Sequence, residues 1–225
     1  MMNLETRADS SNMAPSDLDQ ADILPRDFYA RQTVRVAREL LGKHLVRVLG
    51  RTRMVGSIVE VEAYRGSDDP ASHAFRGLTA RNSPMFGEPG HAYVYFTYGN
   101  HYCLNATTQK SGTPGAVLIR AIEPLEGIQL MRRQRLGMCD ISLTNGPGKL
   151  TKALRIDGSL NEVDLTKYGP LFITKGVGGK PRIASSARIG IREGSDRQWR
   201  FYLAQNPYVS RSKPADIGSS GDESQ

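Results

Sequence analysis

The sequence predicts an α+β fold in a single domain, and three observations support this. Stretches typical of β-strands are grouped together instead of alternating one by one with helices, which argues against a doubly wound parallel sheet. Gly50-Arg51 and Gly99-Asn100 lie where two-residue hairpin turns would, so at least part of the sheet is expected to be antiparallel. The 225 residues contain no internal repeat and no interior linker, so we expect one core.

The predicted elements follow from residue spacing. The ordered part is expected to begin near Leu24 with an amphipathic helix, since Val34, Ala37 and Leu40 recur at helical spacing until Gly42. Alternating apolar and polar residues then predict strands. The predicted strands are 43–49, 54–64, 91–98, 101–108, 116–122, 171–174, 183–191 and 199–204, and the further predicted helices are 125–136 and 147–156.

The two ends of the chain differ in composition from its middle. Residues 1–22 and 213–225 are rich in Ser, Asp, Gly and Gln with few large apolar side chains, which predicts disordered tails around one domain at 23–212. The acidic residues concentrate in these ends. Residues 23–213 therefore hold 29 basic and 15 acidic side chains, a formal charge of +14 against +7 for the whole chain. This charge favours a polyanionic partner, with nucleic acid first, although charge alone leaves ordinary solubility open.

The sequence gives no sign of a metal site or of a membrane segment. Cys103 and Cys139 are the two cysteines, and neither belongs to a Cys/His pattern typical of zinc. No apolar stretch is long enough for a membrane helix or suited to an export signal. Any catalysis is therefore expected to proceed without a metal or cofactor, and we expect the protein in the cytoplasm, associated with the nucleoid if the source is bacterial.

Two carboxylates and a tyrosine recur at every second position of one predicted strand. Strict alternation places Glu60, Glu62 and Tyr64 on one face and the apolar residues between them on the other. Like charges two residues apart disfavour each other's ionisation, and a carboxylate beside a tyrosine is a plausible pair for activating water. A solvent-facing strand decorated with glutamates explains the same pattern, which does not choose between Glu60 and Glu62.

A second cluster is aromatic. Tyr93 and Tyr95 face the same way, while Tyr98 adjoins the predicted Gly-Asn turn, so its ring could project from a hairpin tip. An exposed ring there suits a wedge inserted between base steps of a duplex. The alternative is that these tyrosines are β-favouring core residues.

The stretch from Asn145 to Lys149 is typical of a helix start, with Pro147 at an early helical position. Free backbone N–H groups and a lysine can hold a phosphate, and an ordinary capped helix explains the residues equally well.

Several spaced motifs, taken together and in order, resemble the alkyladenine (3-methyladenine) DNA glycosylase family. They are Val59 to Tyr64, His73, Arg81-Asn82, Met85-Phe86, Tyr93 to Tyr95, Tyr98-Gly99, Cys103 to Asn105, Leu118 to Ala121, Glu123-Pro124, Gly146 to Leu150, Ala187 to Gly190 and Arg200 to Tyr202. The resemblance implies a single mixed α+β domain with a largely antiparallel curved β-sheet, flanking helices and a protruding β-hairpin, similar to the C-terminal domain of formyltransferases. It implies base excision repair: alkylated or deaminated purines are flipped out of duplex DNA and released by hydrolysis of the N-glycosidic bond, which leaves an abasic site.

The resemblance also implies roles for catalytic residues. Glu62 matches the general base that activates the attacking water, and Arg120 and the backbone carbonyl of Ile189 match groups that help hold that water. Tyr64, His73 and Tyr95 match the rings that stack on the extruded base. Together with Asn105 and Ile189, they are expected to form the base-binding pocket.

Further implied roles concern DNA and lesion choice. Tyr98 matches the residue that intercalates into the duplex, and Asn105 matches the residue that crowds the guanine N2 amino group. Asn100, His101 and Lys149 are expected to contact the DNA backbone. Asn100 and His101 depart from vertebrate members of the family, which leaves the contacts at the hairpin tip open.

The expected partners are double-stranded DNA containing damaged purines and water as co-substrate, and the protein is expected to be a monomer. Two alternatives remain. A non-catalytic nucleic-acid binding module would gain nothing from Glu62 among aromatic rings. A bifunctional glycosylase/lyase would need a nucleophilic amine, and no lysine falls among the matched pocket positions.

Overall fold

The computed structural model describes residues 22–97, 99–176 and 181–210. The predicted tails fall outside these ranges except for Asp22, so their disorder stays a prediction. Tyr98, expected to intercalate into DNA, also lies outside the described residues.

Eight strands form one curled sheet, and all the pairings among the described residues are antiparallel. The predicted mixed α+β domain is therefore confirmed. The strands are β1 (His44–Leu49), β2 (Thr52–Tyr64), β3 (Ala92–Thr97), β4 (His101–Thr107), β5 (Ala116–Glu126), β6 (Leu171–Thr174), β7 (Ile183–Ser186) and β8 (Arg200–Leu203).

The long strand β2 organises the sheet. The order along the sheet is β3-β4-β5-β2-β1-β6, and β8 pairs with both β2 and β7. β2 therefore has β5 on one side, and on the other side its first half pairs with β1 and its second half with β8. The pairing of β2 with β5 shifts register around Glu60. Such bulges bend a strand and re-aim its side chains, and here the bend lies where the two glutamates sit.

The helices cover the sheet at its apolar face. They are α1 (Arg26–Tyr29), α2 (Thr33–Leu40), α3 (Ile128–Gln134), α4 (Asp140–Thr144) and α5 (Pro147–Ala153), with 3-10 turns at Ser83–Phe86 and Gly158–Leu160. α2 buries Thr33, Val36, Ala37 and Leu40 at helical spacing and is followed by Gly42 at φ +80°, a left-handed conformation that suits glycine. The main core joins Val36, Ala37 and Leu40 of α2 to apolar residues of β2 and α5, namely Ile58, Val61, Ala63, Leu150 and Ala153.

Four details differ from the sequence-based prediction. The helix predicted at 125–136 begins only at Ile128, because Pro124 and Glu126 still pair with β2. The strand predicted at 183–191 ends at Ser186, and the helix α4 was not predicted. The hairpin between β3 and β4 pairs Thr97 with His101, which leaves three residues at its tip instead of a two-residue turn.

The strict alternation expected for β2 also fails at the bulge. The main core contains Ile58, Val61 and Ala63, so the core-facing positions are three residues apart across the register shift and two apart after it. Within the described ranges, no helix has the length and apolar character needed to cross a membrane.

Candidate functional site

A cavity of about 230 Å³ opens beside the hairpin formed by β3 and β4. β2, β3, β4 and β5 supply its sheet side, and the loop after β2, the start of α5 and the segment after β7 close the rest. It is lined by Tyr64, Ala71, His73, Met85, Tyr93, Tyr95, Thr97, His101, Cys103, Asn105, Ala116, Leu118, Arg120, Pro147, Ile189, Gly190 and Ile191. All five residues predicted for the base pocket line this cavity, although they lie on five separate segments of the sequence.

One wall of the cavity is aromatic. The His73 ring lies 4.6 Å from the Tyr95 ring, centroid to centroid, and the Tyr93 ring lies 5.1 Å from that of Tyr95. The His73 Nδ1 atom is hydrogen-bonded to the Tyr93 hydroxyl at 2.9 Å, which fixes the imidazole plane. Alternation along β3 explains why Tyr93 and Tyr95 share a side. The arrangement offers flat, electron-rich surfaces of the kind that stack on a planar base.

The charge of Arg81 lies behind this wall. Its guanidinium is 5.1 Å from the centroid of the Tyr95 ring and donates to the Phe96 carbonyl at 3.2 Å. Packing of the His73 ring against its neighbours, together with the Arg81 charge, lowers the pKa of His73, although the residue keeps an exposed edge. A neutral imidazole at neutral pH follows.

Glu62 lies beneath the cavity surface and is fully buried. Its Oε2 accepts the Tyr64 hydroxyl at 2.8 Å and its Oε1 accepts the backbone N–H of Ile189 at 2.7 Å. The Nη1 atom of Arg120 lies 3.2 Å from Oε1. The carboxylate itself is not part of the cavity lining, but all three of its partners are.

Burial and the neighbouring Glu62 charge raise the pKa of Tyr64 well above its usual range, so the phenol remains a donor. Burial alone would lower the pKa of Arg120, but the charges of Glu62 and Glu60 outweigh it and raise that pKa. Tyr64 and Arg120 therefore both keep their protons and remain donors to Glu62 at ordinary pH.

Glu60 is also fully buried, and four donors surround its carboxylate. Oε1 accepts from Arg120 Nε at 2.9 Å, from Arg200 Nε at 2.7 Å and from the Ser210 hydroxyl at 2.8 Å, and Oε2 accepts the Ser210 N–H at 2.6 Å. Each carboxylate oxygen has two lone-pair sites, so Oε1 is fully engaged and Oε2 accepts one of its two possible bonds. Burial opposes ionisation of Glu60, yet the charges of Arg120 and Arg200 outweigh it and lower its pKa. The strand is thus not a solvent-facing one, and Glu62 is the carboxylate next to the cavity.

Asn105 on β4 enters the cavity from the sheet. Its Nδ2 donates to the Tyr93 carbonyl at 2.9 Å, and the residue is 3% exposed. Because this bond fixes the amide, the side chain is a rigid part of the wall. Cys103, two residues before it on the same strand, also lines the cavity, and burial raises the pKa of its thiol.

The residues predicted to contact the DNA backbone lie near the cavity mouth. The His101 ring packs against Gly148, where an added Cβ would come within 2.5 Å of it, and its Nδ1 atom contacts the Asn100 side-chain oxygen. Lys149 is exposed and donates to the Asn145 side chain at 2.8 Å. The hairpin and the first turn of α5 are thereby brought together, a contact that the residue pattern does not predict.

Sequence reasoning did not identify the buried residues that hold the cavity-lining segments in place. Asp69 and Arg188 form a bidentate ion pair, with two N–O distances of 2.7 Å and both side chains fully buried. Arg188 also donates to the Ala63 carbonyl at 2.9 Å and stacks 4.7 Å from the Tyr64 ring centroid. This pair fixes the segment that carries Ile189. The one hint in the sequence is Arg188 itself, which belongs to the motif Ala187 to Gly190, but the motif does not identify its partner.

Asn82 plays a similar part in the loop after β2. Its amide donates to the carbonyls of His73 and Gly77 at 2.8 and 2.9 Å, and its oxygen accepts the Thr79 N–H at 2.7 Å. The loop that presents His73 is therefore closed on itself by one buried side chain. Within the described ranges, no group of three or more His, Cys, Asp or Glu side chains is placed to hold a metal ion.

Comparison with known proteins connects this site to a family. The family model described as methylpurine-DNA glycosylase matches residues 27–207. A protein of Carboxydothermus hydrogenoformans named "Putative 3-methyladenine DNA glycosylase" is 51% identical over 190 residues, covering 84% of this chain and 99% of that protein. A protein of the same name from Methanocella arvoryzae is 49% identical over 199 residues, covering 87% and 99%.

Proposed function

Because the chain belongs to the methylpurine-DNA glycosylase family and is therefore a hydrolase of DNA repair, we propose that it flips alkylated or deaminated purines out of duplex DNA. It then hydrolyses the N-glycosidic bond, with Glu62 activating the water, and leaves an abasic site. The observation that carries the proposal is the position of Glu62 directly beneath an aromatic cavity, held by Tyr64, Arg120 and Ile189, all of which line it.

The chemistry of the reaction suits these groups. Breaking an N-glycosidic bond passes through a state resembling an oxocarbenium ion, and a nearby carboxylate stabilises that charge and takes the proton of the attacking water. Water seated on the cavity floor beside Arg120 and the Ile189 backbone lies next to Glu62. Glu60 is held by Arg120, Arg200 and Ser210, none of its atoms lines the cavity, and it is proposed to contribute no base.

The aromatic wall is proposed to hold the extruded base. An alkylated purine such as 3-methyladenine carries a positive charge, so it is a good leaving group and is attracted to the faces of Tyr64 and Tyr95 by about 0.5 to 2 kcal/mol. A neutral His73 stacks on such a base without repelling it. Flipping a nucleotide costs a few kcal/mol and least for a damaged pair, which adds selectivity.

Lesion choice and DNA binding complete the proposal. Asn105, fixed by its bond to the Tyr93 carbonyl, is proposed to crowd the N2 amino group of normal guanine. Tyr98 is proposed to fill the gap left by the flipped nucleotide. Asn100, His101 and Lys149, at the cavity mouth, are proposed to contact phosphates, supported by the overall basic charge of the chain. The protein is proposed to act as a monomer.

The test is single-turnover base release, in EDTA, from duplexes that each carry one defined lesion. We expect Glu62→Gln to lower the release rate by on the order of a hundredfold or more, while the dissociation constant for an abasic-analogue duplex stays close to that of the wild type. Glu126→Gln, which changes an exposed carboxylate at the far end of β5, serves as the matched control and should leave the release rate unchanged.

Near-normal release by Glu62→Gln would overturn the role of this residue. Absence of release by the wild type on every lesion would instead favour a non-catalytic binding module. Strand cleavage that accompanies release would indicate a lyase. We expect intact strands, because no lysine is among the cavity-lining residues within the described part of the chain.

A further inference from the structure

Glu60 is a fully buried carboxylate for which the proposed hydrolysis has no direct use. Two of its four hydrogen bonds come from one residue near the end of the described chain. The Ser210 hydroxyl donates to Oε1 at 2.8 Å and the Ser210 N–H donates to Oε2 at 2.6 Å. These two residues are 150 positions apart in the sequence, so the contact is a property of the fold.

Ser210 reaches Glu60 because the segment after β8 folds back over the sheet. The Asn206 side chain donates to Glu123 Oε2 at 2.8 Å and accepts the Tyr208 N–H at 2.9 Å. The Ser210 carbonyl accepts from Arg200 Nη2 at 3.0 Å, and the residue is 8% exposed. The turn is therefore anchored by the Asn206 side chain before Ser210 and by the carbonyl of Ser210 itself.

The Ser210 contact is linked to the candidate base through a single arginine. Glu60 Oε1 accepts from Arg120 Nε at 2.9 Å, and Arg120 Nη1 lies 3.2 Å from Glu62 Oε1. A guanidinium is planar and rigid, so fixing Nε fixes the direction of Nη1. We propose that Ser210 is a positioning residue of the active site, which acts through Glu60 to hold Arg120 in the orientation that bonds Glu62.

The same contacts explain why a hydroxyl matters at this place. Oε1 of Glu60 is shared by Arg120, Arg200 and the Ser210 hydroxyl. Without the hydroxyl, Oε1 keeps only the two arginines and Oε2 keeps the backbone N–H of residue 210, so the carboxylate can turn about that bond and the plane of Arg120 moves with it. Arg200 also donates to the Ser186 hydroxyl at 3.0 Å, on the strand that leads to Ile189. The contacts that position Arg120 and those that position the Ile189 segment therefore meet at Glu60 and Arg200.

The inference rests on the proposed role of Glu62 and is tested with a pair of variants of nearly equal shape, Ser210→Thr and Ser210→Val. Loss of one hydrogen bond to a charged group predicts a single-turnover release rate about tenfold lower for Ser210→Val. Ser210→Thr keeps the hydroxyl and retains most of the rate. Both variants should bind an abasic-analogue duplex with wild-type affinity. If the added methyl groups prevent folding, Ser210→Ala replaces Ser210→Val and is compared with the wild type.

The control is Thr144→Val, which removes a fully buried hydroxyl that donates to the Ile122 carbonyl at 2.6 Å, outside this cluster. It should lower the melting temperature without changing the release rate. Equal rates for Ser210→Val and Ser210→Thr, or a loss of rate matched by an equal loss of DNA affinity, would overturn the inference. Glu62→Gln is measured in parallel to separate the two proposals. Normal base release by Glu62→Gln would contradict the proposed function. If Glu62→Gln is inactive and Ser210→Val releases the base at the wild-type rate, only the role of Ser210 is contradicted.

Discussion

Glu62 accepts the backbone N–H of Ile189 at 2.7 Å, although 127 residues separate the two in the sequence. The bond joins the middle of the sheet to the segment after β7; Ile189 lines the cavity, and Glu62 lies beneath its surface. Its geometry depends on how firmly that segment is fixed, and the residue directly before Ile189 supplies the fixation.

Asp69→Asn should lower the free energy of unfolding by about 3 kcal/mol, because it removes one partner of a fully buried ion pair and leaves Arg188 without its counter-charge. The measurement is urea denaturation at neutral pH. Asp140→Asn, which breaks a bidentate pair with Arg132 at the surface, is the matched control and should change stability little. Equal effects of the two substitutions would show that the buried pair is no stronger a support than a surface pair.

Arg120→Lys should slow base release by on the order of ten- to a hundredfold with little change in DNA affinity. Arg120 bonds Glu60 through Nε and contacts Glu62 through Nη1, whereas a lysine offers one point charge that cannot reproduce this fork. Single-turnover release measures the effect. Arg132→Lys alters the same fork geometry on exposed Asp140 and should leave release unchanged. A wild-type rate for Arg120→Lys would mean that charge alone suffices.

Much of this arrangement could be predicted from local pattern. Alternation along β2 placed Glu60 and Glu62 on one face, and one arginine indeed contacts both. The pattern could not choose between them, because the choice depends on Arg200 and Ser210, which are 140 and 150 residues from Glu60. Tertiary contacts alone decide which of the two carboxylates is bound by Arg200 and Ser210 and which one lies next to the cavity.

The errors in the secondary-structure prediction also arise because contacts between distant residues override the local pattern. The residues after Ile122 have a helical spacing, but pairing of Glu126 with Val55 keeps them in the sheet until Gly127, whose φ of +72° allows the turn into α3. The hairpin tip was expected to have two residues because Gly-Asn is common in such turns. Its actual length follows from the pairing of Thr97 with His101.

Arg81→Met should raise the pKa of His73. The Arg81 charge contributes to the lowered pKa of His73 after burial of the ring, and methionine keeps a side chain of similar length without the charge. An NMR titration of the His73 ring measures the change. In the proposed pocket a protonated His73 repels a cationic base, so release of 3-methyladenine should fall off at a higher pH in this variant than in the wild type.

Arg76→Met, in the same loop and also exposed, is the control for this titration and should leave the His73 curve in place. A His73 pKa that is unchanged or lower in Arg81→Met would contradict the assigned cause and leave burial as its whole explanation.

Asp164→Asn should reduce stability at neutral pH and flatten its loss in acid. Asp164 pairs with Arg26 at 2.7 Å and Lys167 at 3.0 Å and accepts from the Thr166 hydroxyl at 2.6 Å. Partial burial opposes ionisation, but these donors outweigh it and hold the pKa of Asp164 far below its usual range. Because the folded-state pKa is depressed, the group stabilises the fold fully above the unfolded value of about 3.9 and progressively less as pH falls below it.

Urea unfolding between pH 7 and pH 3 measures this contribution of Asp164. The wild type should lose this contribution progressively as pH falls below about 4, whereas the curve of Asp164→Asn starts lower and falls less. Asp27→Asn, an exposed carboxylate on α1, is the control and should follow the wild-type curve. Parallel curves for the wild type and Asp164→Asn would mean that the depressed pKa of Asp164 does not contribute to acid unfolding, because linkage requires the two curves to converge as Asp164 becomes protonated.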